Sequence, residues 1–99
     1  MHKTPVTFVV RLKAKKGTAE RLEQAAIKLI PLTKAEAGCL EYKFHASSQE
    51  ADSFLFYENW VDQEALNKHL KMPYLLEFKT LLDEILREPA EFTSWTMRG

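Results

Sequence analysis

The sequence predicts an α+β fold in which one antiparallel sheet of four strands is covered by helices on a single side. Three observations lead there. Apolar and polar residues alternate in four stretches, apolar residues recur at helical spacing in two others, and the order along the chain is strand-helix-strand-strand-helix-strand.

Residues 6–14 alternate, with Val6, Phe8, Val10 and Leu12 on one side and Thr7, Val9, Arg11 and Lys13 on the other. The turn Lys15-Lys16-Gly17-Thr18 ends this strand, and Gly17 or Thr18 can cap the helix that follows. In that helix Leu22, Ala25, Ala26, Leu29 and Ile30 form one apolar stripe. Pro31 lacks a backbone donor and is expected to kink or interrupt the helix, and Gly38 to serve as its C-terminal cap. Residues 39–46 form the second strand, with Leu40, Tyr42 and Phe44 opposite Glu41, Lys43 and His45. The polar run 47–52 turns the chain into a hairpin with the third strand, Ser53 to Trp60. There Phe54, Phe56, Glu58 and Trp60 share one face and Leu55, Tyr57 and Asn59 the other, so both faces are expected to be covered.

Asp62 is placed to cap a short helix, with Val61 and Leu66 as a hydrophobic staple. Pro73 opens a further helix at its favoured first position. Leu75, Phe78, Leu82 and Ile85 form its stripe, and Lys79 with Asp83 an exposed pair. Residues 90–97 alternate again as a last strand. Right-handed crossovers turn this order into a ferredoxin-like βαββαβ layer, one domain over residues 1–99 with an ordered core of about 5–98.

Composition narrows the function classes. Fourteen Lys+Arg balance fourteen Asp+Glu, which removes the electrostatic footprint of a nucleic-acid binder. No apolar run approaches the roughly 20 residues needed to span a bilayer. The start Met1-His2-Lys3-Thr4-Pro5 is too short and polar for a signal peptide, so a cytoplasmic protein is expected, with His2 in a disordered start. A single cysteine, Cys39, leaves no internal disulfide and no Cys-rich zinc site, and reads as a small buried apolar residue. Three histidines in unrelated elements give no metal-ligand spacing, and no glycine-rich phosphate loop is present. No metal or other cofactor is expected.

With helices on one side only, the other side of the sheet carries Val9, Leu55, Tyr57, Trp95 and Met97. Each large side chain removed from water contributes roughly 1.5–3 kcal/mol. Scattered surface apolars are the plain alternative; a two-fold homodimer, sheet against sheet, is the expected cover.

His69 lies four residues after Ala65 and three after Leu66, and so points inward with them. Burial favours neutral imidazole, suited to acid–base work near neutral pH. A core histidine satisfied by hydrogen bonds accounts for the same spacing. Glu58, between Phe56 and Trp60 on the inner face, needs a partner or a raised pKa. It is either a structural hydrogen-bonding group or part of a site. Tyr42, Tyr57, Tyr74, Trp60 and Trp95 are aromatics at strand and helix spacing, compatible with core or with an aromatic pocket. His45 falls on the polar face of its strand, as a surface or interface residue.

The run from Glu36 to Tyr42 (EAGCLEY), followed at their spacing by Phe54, Tyr57-Glu58, Trp60, Asp62, Glu64-Ala65-Leu66 and His69, resembles the antibiotic biosynthesis monooxygenase domain family over nearly the whole chain. The resemblance implies a dimeric α+β barrel of ferredoxin-like subunits, each with a pocket between its sheet and its helices. Members of that family oxidise quinols, anthrones or related phenols to quinones without a cofactor. Others isomerise small phosphorylated sugars, and some degrade haem. The haem branch carries Asn on the first strand, Trp on the helix after the third strand and His further on. Val10, His69 and Lys79 stand there instead, so haem degradation is not implied.

His69 matches the histidine of the quinol-oxidising branch. The resemblance therefore implies a cofactor-independent monooxygenase that uses molecular oxygen on a small aromatic or quinol-type substrate. His69 is the expected proton acceptor, oriented by Glu58 or Trp60, and Phe8, Val10, Tyr42, Tyr74 and Phe78, with Trp60, would line the apolar substrate pocket. A non-catalytic ligand-binding or stress-response dimer, and an isomerase of the same fold, are the alternatives.

Overall fold

A computed structural model describes residues 4–99; His2 lies outside the described residues. The chain runs β1 (Val6–Lys13), α1 (Ala19–Lys34), β2 (Cys39–Ala46), β3 (Ser53–Trp60), α2 (Gln63–His69), α3 (Pro73–Ile85) and β4 (Glu91–Trp95). The strands form one sheet in the order β2-β3-β1-β4, antiparallel throughout. This is the predicted ferredoxin-like α+β arrangement, with the second helix in two pieces.

Alternation sets the layers. Phe8, Val10, Leu12, Tyr42, Phe54, Phe56, Glu58 and Trp60 leave the sheet on the helical side and are buried. They meet Leu22, Ala26 and Leu29 of α1, Ala65 and Leu66 of α2, and Leu75, Phe78, Leu82 and Ile85 of α3. On the opposite side Val9, Leu55 and Tyr57 are half-buried, whereas Trp95 and Met97 are 60% and 68% exposed. The register places Glu41, Lys43 and His45 on that same side, beside Asn59, Tyr57 and Leu55, so the apolar area is bounded by a polar row on β2. β4 is shorter than expected, and Met97 lies beyond its end.

Several local expectations are corrected. Pro31 does not interrupt α1, which continues to Lys34. The carbonyl it leaves without a donor belongs to Ile27, and both residues lie on the exposed side where water can satisfy it. Thr18 is the residue preceding α1 but makes no side-chain cap; its hydroxyl donates to the Lys15 and Ile85 carbonyls at 2.7 and 3.2 Å. Gly38 is not the C-cap of α1, a place taken by Ala35. Instead, at φ +92°, it lets α2 approach: a Cβ there would lie 2.6 Å from Ala65 Cβ.

Leu40 does not point inward with Tyr42. A bulge between Cys39 and Glu41 gives β2 one residue more than β3 and leaves Leu40 55% exposed. Cys39 is half-buried rather than buried. Lys79 and Asp83 form no ion pair; Lys79 lies instead at the edge of a cavity between α3 and the sheet. Asp62 caps α2 as expected, accepting from the Ala65 N–H at 2.8 Å, and Pro73 is the first residue of α3.

Candidate active site

The sheet and the broken second helix enclose a cavity of about 270 Å³. Phe8 and Val10 of β1, Tyr42 of β2, and Phe56 and Glu58 of β3 form its floor. His69 and Leu70 close one end, and Leu75, Phe78 and Leu82 of α3 form the roof. Phe92, stacked on Phe8 with ring centroids 5.9 Å apart and 55% exposed, stands with Lys79 at the rim. The lining residues are apolar except for one imidazole, one carboxyl, one phenol and one ammonium. That pattern suits a compact aromatic molecule with a few polar substituents.

α2 ends at His69, and the same inward stripe that buries Ala65 and Leu66 buries the imidazole, which is 1% exposed. Its Nδ1 is 2.7 Å from Glu36 Oε2, away from the cavity. The Tyr74 hydroxyl donates to the same Glu36 oxygen. On the other edge of the ring, Nε2 faces Glu58, with Oε1 at 3.9 Å, too far for a hydrogen bond. Glu58 Oε1 accepts from Trp60 Nε1–H at 2.9 Å. The Trp60 ring lies 4.6 Å from the imidazole at 33°, and the Tyr42 ring meets it edge-on at 5.6 Å.

Burial decides the protonation states. It raises Glu58 to about 7, with the Trp60 hydrogen bond pulling the value down and the charge of Glu36 pushing it up. Burial lowers His69, opposed by its contact with Glu36, so the neutral imidazole is favoured. The Tyr42 phenol, raised first by burial and then by Glu58, stays protonated. Burial also raises the Cys39 thiol to about 11, the opposite of what a thiolate nucleophile needs.

Of the residues singled out from sequence, Phe8, Val10, Tyr42, Phe78, Glu58 and His69 come together on one cavity. Two do not reach its wall. Trp60 is wholly buried and holds Glu58, and Tyr74 turns to Glu36 and lines a separate groove between α1 and α3. Glu36 was not recognisable as a site residue. It lies two residues beyond α1, and its only signal in the sequence is membership of the Glu36–Tyr42 run. Among the described residues no group of three or more His, Cys, Asp or Glu is arranged to hold a metal ion, and no helix is long and apolar enough to cross a membrane.

Comparison with known proteins bears on the fold and the family. The chain is 32% identical over 87 residues to the uncharacterized protein sll1783 of Synechocystis, a match covering 88% of this chain and 59% of that protein. It thus spans about three fifths of the relative's length. The crystal structure of PA3566 from Pseudomonas aeruginosa superposes with a TM-score of 0.91 at 28% identity, covering 100% of this chain and 99% of that one. A solved structure named antibiotic biosynthesis monooxygenase superposes at 0.88 and 18% identity over 95% of this chain and 99% of that one, a likeness of fold alone. The family model for antibiotic biosynthesis monooxygenase matches residues 5–81, a span that takes in β1 to β3, the whole of α2 and every polar group around His69. The chain belongs to the antibiotic biosynthesis monooxygenase family.

Proposed function

We propose that the protein is a cofactor-independent monooxygenase acting on a small phenol or quinol. The observation that carries this reading is the meeting of an apolar cavity with an imidazole nitrogen that has no hydrogen-bond partner among the described residues: His69 Nε2, beside Glu58. A flat ring between Phe8, Tyr42, Phe56 and Phe78 would bring a hydroxyl to Nε2, which takes its proton. The resulting anion is electron-rich and gives one electron to molecular oxygen. The two radicals couple at a ring carbon to form a peroxide, which receives the proton back from the imidazolium. Loss of the ring hydrogen and cleavage of the O–O bond then leave a quinone and water. One oxygen atom enters the product, the other leaves as water, and His69 ends neutral. The apolar walls keep bulk water from the anion.

In the same reading the uncovered face of the sheet joins a second copy, because Trp95 and Val9 gain by leaving water together. Nothing in the reading calls for a nucleic acid or a membrane as partner.

The test is oxygen uptake with a panel of quinols, anthrones and phenols. Turnover is expected for at least one, falling by a factor on the order of 10²–10⁴ in a folded His69→Ala variant. Full activity in that variant removes His69 from the mechanism. A ligand that raises the melting temperature without turnover points to a binding protein, and turnover without oxygen to an isomerase.

A further inference from the structure

We infer that Glu36 and Tyr74 act together as positioning residues for His69, holding the ring in the tautomer with hydrogen on Nδ1 and the Nε2 lone pair facing the cavity. The proposal rests on the reading of His69 as the proton acceptor and adds which residues prepare it.

The reasoning starts from one oxygen. Glu36 Oε2 lies 2.7 Å from His69 Nδ1 and also receives the Tyr74 hydroxyl, so two groups from different elements converge on it. A carboxylate oxygen can only accept. Were the imidazole hydrogen on Nε2, the Nδ1 lone pair would face that oxygen at hydrogen-bond distance with no proton between them. With the hydrogen on Nδ1 the contact is a charge-assisted hydrogen bond. The side chain of Glu36 is 10% exposed, so its charge keeps a contact with water, while the imidazole is sealed.

Among the described residues no hydrogen bond holds Nε2. Glu58 Oε1 is 3.9 Å away and already accepts from Trp60. The groups facing the ring are Glu36 beyond α1, Tyr42 of β2, and Glu58 and Trp60 of β3, with Tyr74 of α3 behind Glu36. On α2 itself Lys68 turns outward to Glu64. Glu36 is therefore the carboxylate in hydrogen-bond contact with the ring when it takes up a proton. Tyr74, whose hydroxyl also lies 3.4 Å from the Leu32 carbonyl, ties that carboxylate to the first turn of α3.

The experiment is a long-range proton–nitrogen correlation spectrum of the full-length ¹⁵N-labelled protein at mildly alkaline pH, with His69 assigned by comparison with His69→Gln. The expected pattern is protonated Nδ1 and unprotonated Nε2. In Glu36→Gln, His69 is expected to titrate at lower pH than in the wild type. Where a substrate is turned over, kcat is expected to fall about 10- to 100-fold with KM changed far less, and the acidic limb of the pH profile to move to lower pH. Tyr74→Phe is expected to show a smaller loss in the same direction. A wild-type spectrum with hydrogen on Nε2, or a Glu36→Gln variant with unchanged His69 titration, overturns the proposal. The spectra need no turnover. An Nδ1–H ring in a protein inert to every substrate sinks the oxygenase reading and leaves the positioning intact, whereas turnover with an Nε2–H ring does the reverse.

Discussion

Trp60 and Glu58, two residues apart on β3, leave the sheet on the same side and are joined by a hydrogen bond of 2.9 Å from the indole Nε1–H to the carboxyl Oε1. Strand periodicity makes them neighbours, and the bond gives the buried carboxyl a donor at the cavity wall. Trp60 therefore stands behind the cavity wall, hydrogen-bonded to Glu58 and with its ring against His69, without touching the cavity.

Trp60→Phe removes that donor. Because the bond holds the Glu58 pKa down, its loss is expected to raise the value above about 7. The packing defect costs the same at every pH. The lost hydrogen bond adds about 1–3 kcal/mol where Glu58 is charged. Urea denaturation is expected to show a larger loss at about pH 8 than at about pH 5; equal losses would make Trp60 a packing residue only.

Glu58→Gln tests the burial of the carboxyl itself. The folded-state value, raised from 4.5 to about 7, means that the unfolded chain releases this proton first as the pH rises. The contribution of Glu58 to stability is thus complete below about pH 4.5 and lost as the pH climbs through about 7. Glutamine does not titrate. The variant is expected to gain on the wild type between about pH 5 and pH 8, by up to about 3 kcal/mol. His69, lowered by burial, has the opposite sign: its contribution is present above its unfolded value near 6.5 and lost as the pH falls through its folded value. Both proteins carry it. A parallel pair of stability curves would show that Glu58 is not buried as a charge.

Gly38 and Gly17 separate backbone strain from crowding. Both have positive φ, +92° and +86°, but a Cβ on Gly17 meets nothing, whereas one on Gly38 meets Ala65 Cβ at 2.6 Å and Val61 Cγ2 at 3.0 Å. Gly17→Ala is expected to cost about 1–2 kcal/mol, the strain alone. Gly38→Ala is expected to cost at least about 1 kcal/mol more, because α2 has to move away. Chemical denaturation of the two variants checks the difference.

Trp95→Glu probes the sheet face. The indole Nε1–H donates to Thr93 Oγ1 at 2.9 Å, on the same face of β4, and the side chain stays largely exposed. A charge there is expected to turn a dimeric wild type into a monomer at micromolar concentration by light scattering, with secondary structure unchanged. A wild type that is already monomeric removes the homodimer.

The layer order, the strand faces and the inward aim of His69 were readable from periodicity, because side-chain direction along a strand or helix is a local property. Val6 to Leu12 alternate, and Ala65, Leu66 and His69 recur at helical spacing, whatever lies elsewhere in the chain. The places where a local reading misled are those where a second element intervenes. Leu40 is pushed out by a bulge against β3, Thr18 turns to the end of α3, and Tyr74 turns to Glu36 instead of the cavity. Glu36 and His69 stand thirty-three residues apart, and Tyr74 thirty-eight from Glu36, so no local pattern relates them. They meet because α2 and α3 fold back over β3 beside the end of α1, and the hydrogen bonds of a buried imidazole are set by whichever groups that packing delivers.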